Sequence, residues 1–161
     1  MTPAAPEATV FPVSVLMRCT QREHRGWSYP AWEVAGLLPD AGGEATPSGG
    51  AVHAQGGTID YLWRGLRFRL VRSNAETYWY NLTATRPRAF VICRQDTEGA
   101  LVPLTVTLDQ DEATRQLEGD GEVFETDIPP EVREAMEQFV MAHYRPEQRR
   151  RGQRRKHHDD G

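Results

Sequence analysis

Four tryptophans, one short polar cluster and two sets of arginines are the side chains of this chain best suited to chemistry. Trp27, Trp32, Trp63 and Trp79 could wall a ligand pocket, because indole rings supply contact area and their N–H groups fix orientation. The competing reading is that they fill the core. Glu76, Tyr78 and Asn81 bring a carboxylate, a phenol and a carboxamide close together in sequence. On a strand, Glu76 and Tyr78 share a face while Asn81 points the other way unless the strand is bulged. Near the end, Arg149, Arg150, Arg151, Arg154, Arg155 and Lys156 form a basic run that fits phosphates, an acidic protein surface or an anionic membrane. Its alternative is a disordered, solubilising end. Arg64, Arg67, Arg69, Arg72, Arg86, Arg88 and Arg94 lie near Trp79 and Tyr80, and a basic sheet face with stacking aromatics is a platform for single-stranded nucleic acid. Lys156 is the only lysine, however, so arginine also serves here as the ordinary solvated cation.

Nothing in the chain reads as a catalytic constellation, and no cofactor is expected. His143, His157, His158, Asp159 and Asp160 are ligand types for a metal, yet a flexible tail does not pre-organise them, so no metal site is expected. Cys19 and His24 are neighbours in sequence but about 16 Å apart along an extended strand. No Ser/His/Asp or Cys/His pairing stands out.

These side chains need a scaffold, and at 161 residues, 39% hydrophobic and 26% charged, the chain suffices for one globular domain without disulfide or metal. No run of about 18 apolar residues is present, so no membrane span is expected. The N-terminal segment lacks a basic n-region and Pro12 interrupts its apolar run, which points to a cytoplasmic protein rather than a secreted one. Cys19 and Cys93 fall in apolar runs and read as reduced core residues. Residues 145–161 hold seven cations against three acids, a net of +4, so residues 1–144 carry −8 and the two sum to the formal −4. Between residues 96 and 137 thirteen acids face two arginines, which concentrates the negative charge in the second half of the body.

Residues 1–9 read as a flexible start, 10–144 as the domain and 145–161 as a basic disordered tail. Val10 to Met17 is a strand with Pro12 implying an edge position, and Trp32 to Leu38 a second. Residues 40–57 contain six glycines and Pro47 and read as a mobile loop. In Ile59 to Arg72, Leu66, Phe68 and Leu70 alternate with polar residues, whereas Tyr61 and Trp63 have the opposite parity. A β-bulge near Gly65 would put both sets on one face. The Ser73-Asn74 turn leads into Thr77 to Leu82, so residues 59–83 read as a hairpin. Ala89 to Gln95 and Leu101 to Thr107 form another hairpin. Asp109 caps a short helix to about Glu118, Glu122 to Ile128 is a strand, and Pro130 opens a helix with Val132, Met136, Phe139, Val140 and His143 on one stripe. The fold class is therefore α+β, a mainly antiparallel sheet or open barrel of about six to seven strands with one short helix and a C-terminal amphipathic helix.

The ordered pieces Trp27, Trp32, Val34, Leu37-Leu38, Glu76, Tyr78, Asn81-Leu82, Pro87, Phe90-Val91-Ile92, Arg94, Thr105 to Thr107, Glu112-Ala113, Ile128-Pro129-Pro130, Phe139-Val140, His143 and the basic end resemble a bacterial family of small proteins known only as a domain of unknown function. Its members are often encoded near molybdenum-dependent formate dehydrogenase and molybdenum-cofactor genes. The resemblance implies an accessory role in maturation, exercised by binding another protein such as a molybdoenzyme or its maturation factors. It implies no catalytic residue. A nucleotidyltransferase label attached to some members finds no support, since no glycine-rich phosphate loop joins a strand to a helix. A nucleic-acid-binding module and a small-molecule or cofactor-binding protein with a Trp-lined pocket are the alternatives.

Overall fold

In a computed structural model, which describes residues 8–40, 42 and 46–145, the alternating apolar positions sort into two antiparallel sheets. The strands β1 (Ala8–His24), β2 (Trp27–Pro39), β3 (Ser48–Gln55) and β4 (Thr58–Val71) form the first, in the order β2-β1-β4-β3. A 3-10 turn (Arg72–Asn74) leads into helix α1 (Ala75–Thr83). The second sheet has the order β6-β5-β7, from β5 (Arg88–Gln95), β6 (Leu101–Thr107) and β7 (Glu122–Asp127), with α2 (Gln110–Leu117) between the last two and α3 (Pro130–His143) after them. This is an α+β fold dominated by antiparallel sheet. The strands do not close into a barrel: β4 runs beside β6 and β2 beside β7, but neither seam carries a hydrogen-bond ladder.

The bulge at Gly65 is present. Val13 pairs with Leu66 and Val15 with Trp63, so two residues of β4 oppose Ser14 alone. The extra residue resets the alternation, and Tyr61 and Trp63 turn to the same core as Leu66, Phe68 and Leu70. Gly65 takes φ +85°, and a side chain there would run into the Thr46 carbonyl. Asp40 holds the bulge by accepting hydrogen bonds from the amides of Gly42 (3.3 Å) and Gly65 (3.4 Å).

Other expectations need correction. β1 begins at Ala8 and is a central strand, laddered to both β2 and β4. Pro12 is tolerated because β2 pairs only as far as Val13, so the missing N–H faces no partner strand. Residues 48–55, expected as part of a loop, form β3, because the free edge of β4 supplies a ladder that propensity alone does not. Residues 75–83 form a helix rather than a return strand. Ala75, Tyr78 and Asn81 are its buried residues, a three-residue spacing that β-favouring Tyr and Trp obscured. The second hairpin and α2 lie where expected. Asp109 caps α2 through the amides of Asp111 (2.9 Å) and Glu112 (3.3 Å).

Sheet positions Val13, Met17, Phe68, Leu70, Val91 and Cys93 share one apolar cluster with Val132, Met136, Phe139 and Val140 of α3, which closes the core. His143, at the end of that stripe, is half-buried with its ring 4.4 Å from that of Phe139. Arg145 donates to the carbonyls of Met141 (3.3 Å) and Ala142 (3.0 Å), satisfying acceptors at the helix end.

Candidate functional site

The four tryptophans lie on β2, β4 and α1. Trp32 on β2 and Trp63 on β4 are half-buried against the core, Trp32 with its ring 5.5 Å from that of Tyr61. Trp63 lies over Gly49 of β3, where an added Cβ would fall 2.6 Å from the indole. Trp79 sits on α1 with its ring 5.7 Å from Tyr144. Trp27 stands next to the β1–β2 turn and is 78% exposed.

Glu76, Tyr78 and Asn81 divide in a similar way. The Tyr78 hydroxyl accepts from the amide of Val71 (3.0 Å) and donates to the carbonyl of Arg69 (3.3 Å), bonding to β4 where β3 no longer covers it. Burial is the main reason that its phenol is held above its ordinary pKa. The Asn81 amide donates to the carbonyls of Arg88 (2.8 Å) and Leu108 (3.0 Å) and accepts from the Arg88 amide (3.0 Å). It ties α1 to the start of β5 and the end of β6, so its polar groups are spent on structure. Glu76, in the first turn of α1, is half-buried.

The arginines do not build one basic face. Arg88 is paired with Asp127 (2.6 Å) and Glu125 (3.8 Å). Arg64, Arg67 and Arg69 are exposed on β4, Arg72 lies in the 3-10 turn, and Trp79 and Tyr80 belong to a helix rather than interleaving on the sheet. The tail residues Arg149, Arg150, Arg151, Arg154, Arg155 and Lys156 lie outside the described residues, as do His157 and His158. Among the described residues no group of three or more His, Cys, Asp or Glu could hold a metal ion, and no helix is long and apolar enough to cross a membrane. Cys19 and Cys93 are both free and buried.

What sequence reading missed is a projecting ribbon. The β1–β2 and β3–β4 hairpins turn at Arg25-Gly26 (φ 51° and 81°) and Gly56-Gly57 (φ 58° and 82°), with His24 opposite Trp27 and Gln55 opposite Thr58. Two successive positive φ values are the mark of the tight two-residue turn that matches strand twist. Gly26 between two alternating runs was the available signal. Beyond Thr20 the ribbon leaves the core: residues 21–30 and 46–57 are exposed throughout. One face presents Arg22, His24, Trp27 and Tyr29, since Arg22 pairs with Tyr29 and His24 with Trp27. At its base Arg18 makes a two-point contact with Asp60 across β1 and β4 (2.8 and 3.2 Å), which holds the Asp60 carboxyl below the usual carboxylate range. A hollow of about 340 Å³ beside it is lined by Cys19, Gln21, Ala54, Gln55, Thr58 and Ile59.

Comparison with known proteins gives one positive result. No curated protein and no solved structure matches the chain significantly. The family described as "Protein of unknown function (DUF3305)" matches residues 12–155, from β1 past the last described residue into the basic tail. With most of its length inside that match, the chain belongs to the DUF3305 family.

Proposed function

We propose that this is a non-catalytic accessory protein that acts by binding another polypeptide, and that the projecting ribbon is where it docks. The observation that carries the reading is an ordered sheet end whose β1–β2 tip (residues 21–30) and outer strand β3 are exposed, with Trp27 at one edge and an open strand at the other. Edge strands are ordinarily blunted by charge or proline. β2 carries Pro30 and Pro39, β6 carries Pro103, and β7 carries Glu122, Glu125 and Asp127, whereas Ser48–Gln55 of β3 contains no Asp, Glu, Lys, Arg or Pro. Such an edge suits an extended segment of a partner, which would add a strand through main-chain hydrogen bonds while an exposed indole supplies an anchor.

The family resemblance supplies the partner class, a molybdenum-dependent formate dehydrogenase or its maturation factors. The acidic residues of α2, β7 and α3 would steer encounter rather than hold the complex. Affinity capture from the native host, using the full chain and a Trp27→Ser variant in parallel, tests both parts. Recovery of a molybdoenzyme or a cofactor-insertion component is expected, with yield reduced roughly tenfold for the variant, the scale of one lost anchor. Repeated captures without such a protein would remove the partner class, and equal capture by both chains would remove the ribbon as the site.

A further inference from the structure

A second surface lies at the seam between the sheets. β3 pairs with β4 only as far as Arg64, so the edge of β4 from Leu66 to Val71 has no strand on that side among the described residues. It faces β6, and no ladder joins them. The Tyr78 hydroxyl satisfies one carbonyl and one amide of this edge. The space left over is a cleft of about 310 Å³, near the lower bound for small-molecule sites, and Arg67, Arg69, Asn74, Thr105, Thr107 and Glu112 line it.

Arg67 and Arg69 are alternate residues of one strand, so both project from the same face with Cα atoms about 7 Å apart. Arg69 forms no ion pair among the described residues. The Thr107 hydroxyl already accepts from the Asp109 amide (3.0 Å), which leaves its O–H to donate elsewhere. The cleft thus brings the guanidinium of Arg69, with that of Arg67 beside it, and the Thr107 O–H together, and Glu112 is the carboxylate in its lining. Guanidinium forks match the planar pair of oxygens on a carboxylate or the oxygens of a phosphate. We propose that the β4–β6 seam is a binding site for a small oxyanion, the chemistry that phosphate and carboxylate groups share. It does not depend on the ribbon being a docking surface.

The experiment is a titration of the isotope-labelled full chain, followed by amide and arginine Nε resonances, with inorganic phosphate and with acetate at constant ionic strength against a chloride control. Saturable shifts confined to residues 67–71, 74–78 and 105–107 are expected for at least one anion, and whichever saturates identifies the source. Arg69→Gln is expected to weaken binding roughly tenfold by removing the fork, and Glu112→Gln to tighten it several-fold by removing the carboxylate that lines the cleft. The gain in the second variant cannot arise from a damaged fold. Shifts no larger than those of chloride for both anions, or affinity unchanged in both variants, would overturn the proposal.

Discussion

The two ends of the four-stranded sheet are built from the same strands but held by different forces. At one end Val13, Phe68 and Leu70 are at most 2% exposed and face the second sheet and α3. At the other, residues 21–30 and 48–57 touch no second layer, and order comes from the ladder, two tight turns and the Arg18–Asp60 pair. Fully burying one large apolar side chain contributes about 1.5–3 kcal/mol, whereas a typical hydrogen bond nets about 1 kcal/mol. The core end therefore carries the stability of the domain. The ribbon is left with surfaces that the fold does not consume.

The sharpest way to break this contrast is to truncate one aromatic at each end. Phe68→Ala removes a side chain with 0% exposure and is expected to cost about 3–5 kcal/mol in urea unfolding, enough to threaten folding. Trp27→Ala removes a larger ring and is expected to change stability by less than about 0.5 kcal/mol. Comparable losses would mean that the ribbon packs on something in solution and is not free.

An intermediate effect is expected where the two ends join. Gly65→Ala forces a side chain into the left-handed region against the Thr46 carbonyl, and a strained backbone position costs roughly 1–3 kcal/mol. If the bulge only sets which face Tyr61 and Trp63 present, ribbon amides should lose hydrogen-exchange protection before those of β5 do. Uniform loss across both sheets would merge the two ends into one cooperative unit.

The core end was legible from residues because burial writes itself as period. Leu66, Phe68 and Leu70 alternate, Val132, Met136, Phe139 and Val140 follow a helix stripe, and the parity conflict at Trp63 pointed to the bulge. The ribbon was illegible for the same reason. Gly50, Ala51 and Ala54 are exposed and keep no apolar alternation, Gly49 lies under the Trp63 indole, and β3 exists because β4 offers it an edge. Helix α1 was misread since Tyr78, Trp79 and Tyr80 favour strands and only Ala75, Tyr78 and Asn81 mark its buried side. Of the residues singled out by type, Asn81 proved structural, and Trp27 became prominent only once its neighbours were seen to be exposed. Arg69 gained meaning from where β3 ends, a fact about pairing that no local motif encodes.

The two cysteines offer the gentlest probe, since each reports one end. Cys93 is 0% exposed in β5, and its thiol is pushed up to about 12, first by burial and then by Glu122. Cys19, 8% exposed, borders the hollow at the ribbon base, and burial raises its pKa as well. Alkylation needs both access and a thiolate, so neither should react quickly in the native chain. Cys19 is expected to react first, through local opening of the ribbon and with little dependence on dilute urea, whereas Cys93 should follow the global unfolding equilibrium. The pH dependence has a definite sign. Because the folded pKa of Cys93 lies above that of an unfolded thiol, its contribution to stability is complete below about pH 8.5 and declines as pH rises toward 12. Cys93→Ala should flatten more of that alkaline slope than Cys19→Ala, since the thiol of Cys93 carries the large shift. Equal labelling rates at neutral pH would show that the core end opens as readily as the ribbon base, and the division between a stabilising half and an unpacked half would fall.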